Sequence, residues 1–72
     1  MGDMKISLKS ARVNAGMTQK EAAQALSEYL GMTVSRQKVM KYESNPSKTP
    51  IAFGEAFSKI YKIPLEGINF LP

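Results

Sequence analysis

Apolar residues recur along this chain at helical spacing, and no stretch alternates apolar and polar positions long enough to predict a strand. A first helix is expected from near Ile6 or Ser7, with Leu8, Ala11 and Ala15 on one face and Gly16 where a left-handed terminal residue is wanted. Thr18 followed by Glu21 fits a capping box, in which hydroxyl and carboxylate satisfy each other's orphan backbone amides. The residues behind it are strong helix formers, and Ala22, Leu26, Tyr29 and Leu30 carry one face to a stop at Gly31. Met32, Thr33 and Val34 predict an extended connection, and Ser35 caps a third helix from Arg36 to Glu43 or Ser44. Residues 45–48 have loop chemistry, because Pro46 disfavours helix at Asn45. A fourth helix is expected with Thr49 as cap and Pro50 in its first position, burying Phe53, Ala56, Phe57, Ile60 and Tyr61. A fifth, short helix opened by Pro64 turns Leu65 and Ile68 inward before Phe70, Leu71 and Pro72. The pattern predicts an all-α fold of five short helices.

The third helix divides sharply by side. With Arg36 as origin and about 100° per residue, Met40 falls at about 40°, Gln37 at about 100°, Lys41 at about 140° and Lys38 at about 200°. Val39 and Tyr42 fall on the other side, at about 300° and 240°. Such a helix can be an ordinary amphipathic helix with a solvated basic face. It also meets the requirements of a helix lying between a core and a nucleic-acid groove: Arg and Lys reach guanine edges or phosphates, Gln pairs with adenine, and Met touches a thymine methyl. Ser35 and the helix start beside it suit a nearby phosphate.

Composition narrows the chemistry. The 72 residues predict one domain, 1–72, with 1–5 as a flexible N-terminus, and carry a net charge of +4. Cys and His are absent, which excludes disulfides, thiolate or imidazole zinc sites, Cys nucleophiles and His general bases. Ser35 and Lys38 fit a Ser-x-x-Lys pattern, but the enzymes that use it need a large two-domain site, so no enzyme is expected. No apolar run is long enough for a membrane span, and the N-terminus lacks an apolar signal core. A soluble, cytoplasmic protein is expected, with no metal, cofactor or small-molecule ligand.

Leu8-Lys9-Ser10-Ala11-Arg12, then Gly16-Met17-Thr18-Gln19-Lys20-Glu21-Ala22-Ala23, then Val34-Ser35-Arg36-Gln37-Lys38-Val39-Met40-Lys41-Tyr42-Glu43 resemble the helix-turn-helix domain of the phage repressor and Cro class, the XRE family. The likeness runs from Leu8 to Phe70. It implies a compact five-helix lambda-repressor-like fold that binds double-stranded DNA, with helix 2 crossing the backbone and helix 3 in the major groove. It implies that Thr18 and Gln19 lie at the phosphates, Gln19 also bracing helix 3, and that Arg36, Gln37 and Lys41 read base edges with Met40 beside them. Lys38 and Lys48 are then placed for phosphates, which supply affinity more than sequence information. Arg12 and Glu43 match family positions that form a structural ion pair.

The chain departs from the family pattern between Leu26 and Val34, where it carries about six additional residues, or roughly 1.7 helical turns. Since this is not a whole number of turns, helix 2 is expected to gain about one turn and the lengthened connection to swing helix 3 back. Tyr29 is expected in the core, the alternative being that it projects toward DNA. Two functions follow: a transcriptional regulator, of repressor type, acting as a weak or DNA-induced homodimer with Phe70, Leu71 and Pro72 as a candidate contact, or a protein-interaction module on the same helical frame.

Overall fold

The computed structural model describes residues 5–71, so the expected flexibility of 1–4 and any role of Pro72 lie outside the described residues. Four α-helices follow one another: α1 (Leu8–Asn14), α2 (Gln19–Leu30), α3 (Arg36–Ser44) and α4 (Ile51–Tyr61). Short 3₁₀ turns at Pro46–Lys48 and Leu65–Gly67 complete the order. The fold is all-α and compact, with a Cα radius of gyration of 11.1 Å. No helix among the described residues is long and apolar enough to cross a membrane.

Local chemistry sets the helix ends. Ser7 caps α1, accepting the Ser10 amide proton at 3.0 Å. Thr18 and Glu21 form the full capping box: Thr18 Oγ1 accepts from the Glu21 amide at 3.1 Å, and Glu21 Oε1 accepts from the Thr18 amide at 2.9 Å. Gly31 closes α2 in the left-handed region, at φ 69°. Ser35 caps α3 through the Lys38 amide at 3.3 Å.

α2 and α4 lie side by side, with α1 and α3 packed on them. One core joins Leu8 and Ala11 of α1, Ala22, Ala23 and Leu26 of α2, Val39 and Tyr42 of α3, and the α4 stripe Phe53, Ala56, Phe57 and Tyr61. The small residues on α1 and α2 let the helix backbones approach, and the aromatic residues fill the space toward α4. Tyr42 meets Phe53 and Phe57 edge-on, with ring centroids 5.3 and 6.5 Å apart, and Phe57 stacks on Tyr61 at 5.6 Å.

Three expectations are corrected, and one contact is added. The fifth helix is only the 3₁₀ turn Leu65–Gly67; Ile68 is buried as expected, but Leu65 is 42% exposed. Thr49 does not cap α4. Pro50 has an extended backbone, ψ 153°, so it precedes the helix, and no side chain caps that end. Tyr29 is outside the core at 51% exposure. Finally, residues 6 and 68 form one parallel bridge that no strand pattern announced. The Ile6 amide donates to the Gly67 carbonyl at 3.0 Å and the Asn69 amide to the Ile6 carbonyl at 2.8 Å.

Ser27 governs the connection from α2 to α3. α2 continues through Leu30 and the connection has no regular structure before Ser35. Its geometry is fixed by Ser27, whose hydroxyl donates to the Ala23 carbonyl at 2.8 Å and accepts the Val34 amide proton at 2.8 Å. Val34 is thereby pinned against α2 and buried. Tyr29 lies about 160° round the helix from Ser27, on the flank away from this anchor.

Candidate nucleic-acid interface

α3 presents the division that its sequence predicts. Val39 and Tyr42 are buried, while Arg36, Gln37, Lys38, Met40 and Lys41 are exposed, Met40 at 42%. An exposed methionine between cations offers an apolar contact inside a basic surface. Lys48 is also exposed but sits on the 3₁₀ turn after α3, away from the helix face itself.

α3 is held in place from behind by a polar junction. Arg12 Nε of α1 donates to Glu43 Oε2 at 2.6 Å, and Nη2 reaches Oε1 at 3.4 Å, with the side chains 11% and 7% exposed. The second guanidinium branch, Nη1, donates to the Met17 carbonyl at 3.0 Å. Gln19 Nε2 of α2 donates to Glu43 Oε1 at 3.2 Å. One carboxylate near the end of α3 thus gathers donors from α1 and α2. The Glu43 hydrogen bond holds the Arg12 guanidinium even further above neutrality, against the opposing effect of burial. Tyr61 lies near this pair, and burial pushes its phenol well above the usual value. Its hydroxyl has no hydrogen-bond partner among the described residues.

Arg12 and Glu43 therefore form the expected ion pair, and Gln19 braces α3 as expected. That amide retains a second N–H, which can still donate outward. Thr18 and Ser35 are exposed and use their oxygens as helix caps, so each hydroxyl hydrogen remains available to an acceptor.

Beside this junction lies an open concavity of about 420 Å³ lined by Lys9, Arg12, Thr18, Gln19, Lys20 and Arg36. It brings together three of the expected DNA-contact residues, Thr18, Gln19 and Arg36, but Ser35, Gln37, Lys38, Met40, Lys41 and Lys48 are not part of its wall. Lys9 and Lys20 are exposed cations that no sequence pattern singles out. Lys9 lies about 60° round α1 from Arg12, a spacing that placed it near Arg12 but gave no sign of Arg36. Among the described residues no group of His, Cys, Asp and Glu can hold a metal ion. The chain matches no protein-family model, no curated protein and no solved structure.

Proposed function

We propose that this chain is a sequence-specific transcriptional regulator of the XRE type that its sequence resembles, a repressor of bacterial or prophage origin that binds operator DNA in the cytoplasm. The observation that carries the reading is the exposed face of α3, where Gln37, Met40 and Lys41 stand opposite buried Val39 and Tyr42. The Arg12–Glu43–Gln19 junction supports it, because a helix that reads bases must be held at a fixed angle to the helix that crosses the backbone. In this reading α2 and α3 form the helix-turn-helix, α3 enters the major groove, Lys38 and Lys48 meet phosphates, and the role is binding rather than catalysis. Operators for such domains are two-fold, with half-sites about 34 Å apart, so the chain acts as a dimer that forms weakly or on DNA.

A second reading, a protein-interaction module on the same frame, is favoured by the lengthened connection, which leaves Tyr29 and Met32 half exposed. Anisotropy titrations of a random-sequence duplex pool at low and moderate salt separate the two. The regulator binds at low salt, weakens steeply as salt rises, and enriches a defined sequence on repeated selection. Absence of binding to any duplex at low salt would exclude it and leave the interaction module.

A further inference from the structure

A helix with its side chains is about 10–12 Å across and the major groove about 12 Å wide, so a helix in the groove turns only the middle of its exposed arc to the bases. The flanks of that arc face the phosphate ridges. On α3 the middle is Gln37, with Met40 and Lys41 within about 60° and 40° of it, whereas Arg36 and Lys38 stand about 100° to either side. Arg36 therefore belongs to a flank, and on that flank it meets Lys9 of α1 and Lys20 of α2 around the 420 Å³ concavity.

The electrostatics of this wall are one-sided. No acid lines it. Arg12 is committed to Glu43, and the only ion pair among the described residues is that one, so Lys9, Lys20 and Arg36 face the opening without a carboxylate partner. Three cations converging from three helices repel one another until an anion enters. The free N–H of Gln19 and the hydroxyl of Thr18 add neutral donors to the same opening.

We propose that Arg36 grips a DNA backbone phosphate together with Lys9 and Lys20 and does not read a base edge, an assignment that rests on the DNA reading of α3. The resemblance gave Arg36 to the bases; the flank position and the shared wall give it to the backbone. Base recognition then falls to Gln37, Met40 and Lys41, and Lys38 faces the opposite ridge. Phosphate contacts on both flanks set the depth and angle of α3 in the groove.

The test uses the duplex that the protein itself selects from a random pool, with a scrambled duplex beside it, over a salt series. Arg36→Gln, Lys9→Gln and Lys20→Gln are each expected to weaken both duplexes by the same factor. Each lowers the slope of log affinity against log salt by about one unit and leaves the preferred bases unchanged. Loss of preference at one base position in Arg36→Gln, with the salt slope intact, overturns the proposal. All three residues are exposed, and thermal melts verify that the variants fold. Inorganic phosphate supplies a probe independent of DNA, read by amide chemical shifts. Joint shifts at Lys9, Lys20 and Arg36 that vanish in the triple Gln variant support the shared anion site; if they appear while no duplex binds, the regulator reading and the DNA phosphate fall together and the anion site alone stands. Absence of those shifts in the unmodified chain counts against the site.

Discussion

α3 is held by two junctions of opposite character. Toward α4 it sets Tyr42 against Phe53 and Phe57, an apolar and aromatic contact whose strength comes from area removed from water. Toward α1 and α2 it offers Glu43 to Arg12 and Gln19, a polar contact whose bonds have fixed directions. Burial is tolerant of angle and supplies most of the energy. The carboxylate is intolerant of angle and contributes less energy, since desolvating two charges offsets much of their attraction. A helix anchored only by the first would be stable but loosely aimed; with the second it has one orientation.

The largest expected effect breaks the apolar junction. Phe57 is fully buried, and Phe57→Ala should cost about 3–5 kcal/mol. Against a folding free energy of roughly 4 to 11 kcal/mol for a chain of this size, urea titration should find that variant near or past the edge of stability. An effect under about 1 kcal/mol would mean that the aromatic stripe is not the energetic centre.

Next comes the polar junction. Arg12→Met and Glu43→Leu should each cost about 3 kcal/mol, because each strands a charge that is almost out of water, and the double variant should lose less than either single. Losses that simply add in this double-mutant cycle would remove the coupling on which the comparison rests.

The smallest effect sharpens the boundary where the two junctions meet. Tyr61 stacks on Phe57 and lies near the Arg12–Glu43 pair, and burial raises its pKa in the folded state. The unfolded phenol ionises near about pH 10, so above that point the unfolded chain has lost a proton that the native one keeps. Stability is therefore expected to be unaffected by this group below that pH and to decline as pH rises beyond it. Tyr61→Phe should change stability at neutral pH by no more than about 1 kcal/mol and should flatten the alkaline decline. Identical alkaline profiles for the two proteins, measured by thermal melts, would show that the phenol is not held neutral.

The ends of α2 and the start of α3 were legible because their signals are local, whereas Thr49 and Pro50 offered the same kind of signal and α4 begins without a side-chain cap. Thr18 and Glu21, Gly31 and Ser35 act on amides within four residues of themselves, so their spacing contains the whole interaction. The division of α3 was legible too, since Val39 and Tyr42 differ from their neighbours in polarity. Where a partner is distant in sequence, no local pattern marks the contact. Ser27 is an unremarkable helix residue until Val34 returns to its hydroxyl. Tyr29 looks like a core residue by periodicity, but no other helix covers it and it is half exposed. Lys9, Lys20 and Arg36 become one wall only when three helices are packed. The ion pair of Arg12 and Glu43 was anticipated through the resemblance, not through any pattern within the chain.

The bridge between Ile6 and Ile68 has a mechanical meaning. Its two hydrogen bonds join segments that run parallel, and the four helices all lie in the loop of chain between them. A tension applied to the flanking residues at both ends would pull those segments past each other along their length, loading both bonds at the same instant instead of peeling them in turn. The helices would feel little load until that clasp gave way, so the first resistance to stretching comes from two backbone contacts and the buried side chain of Ile68.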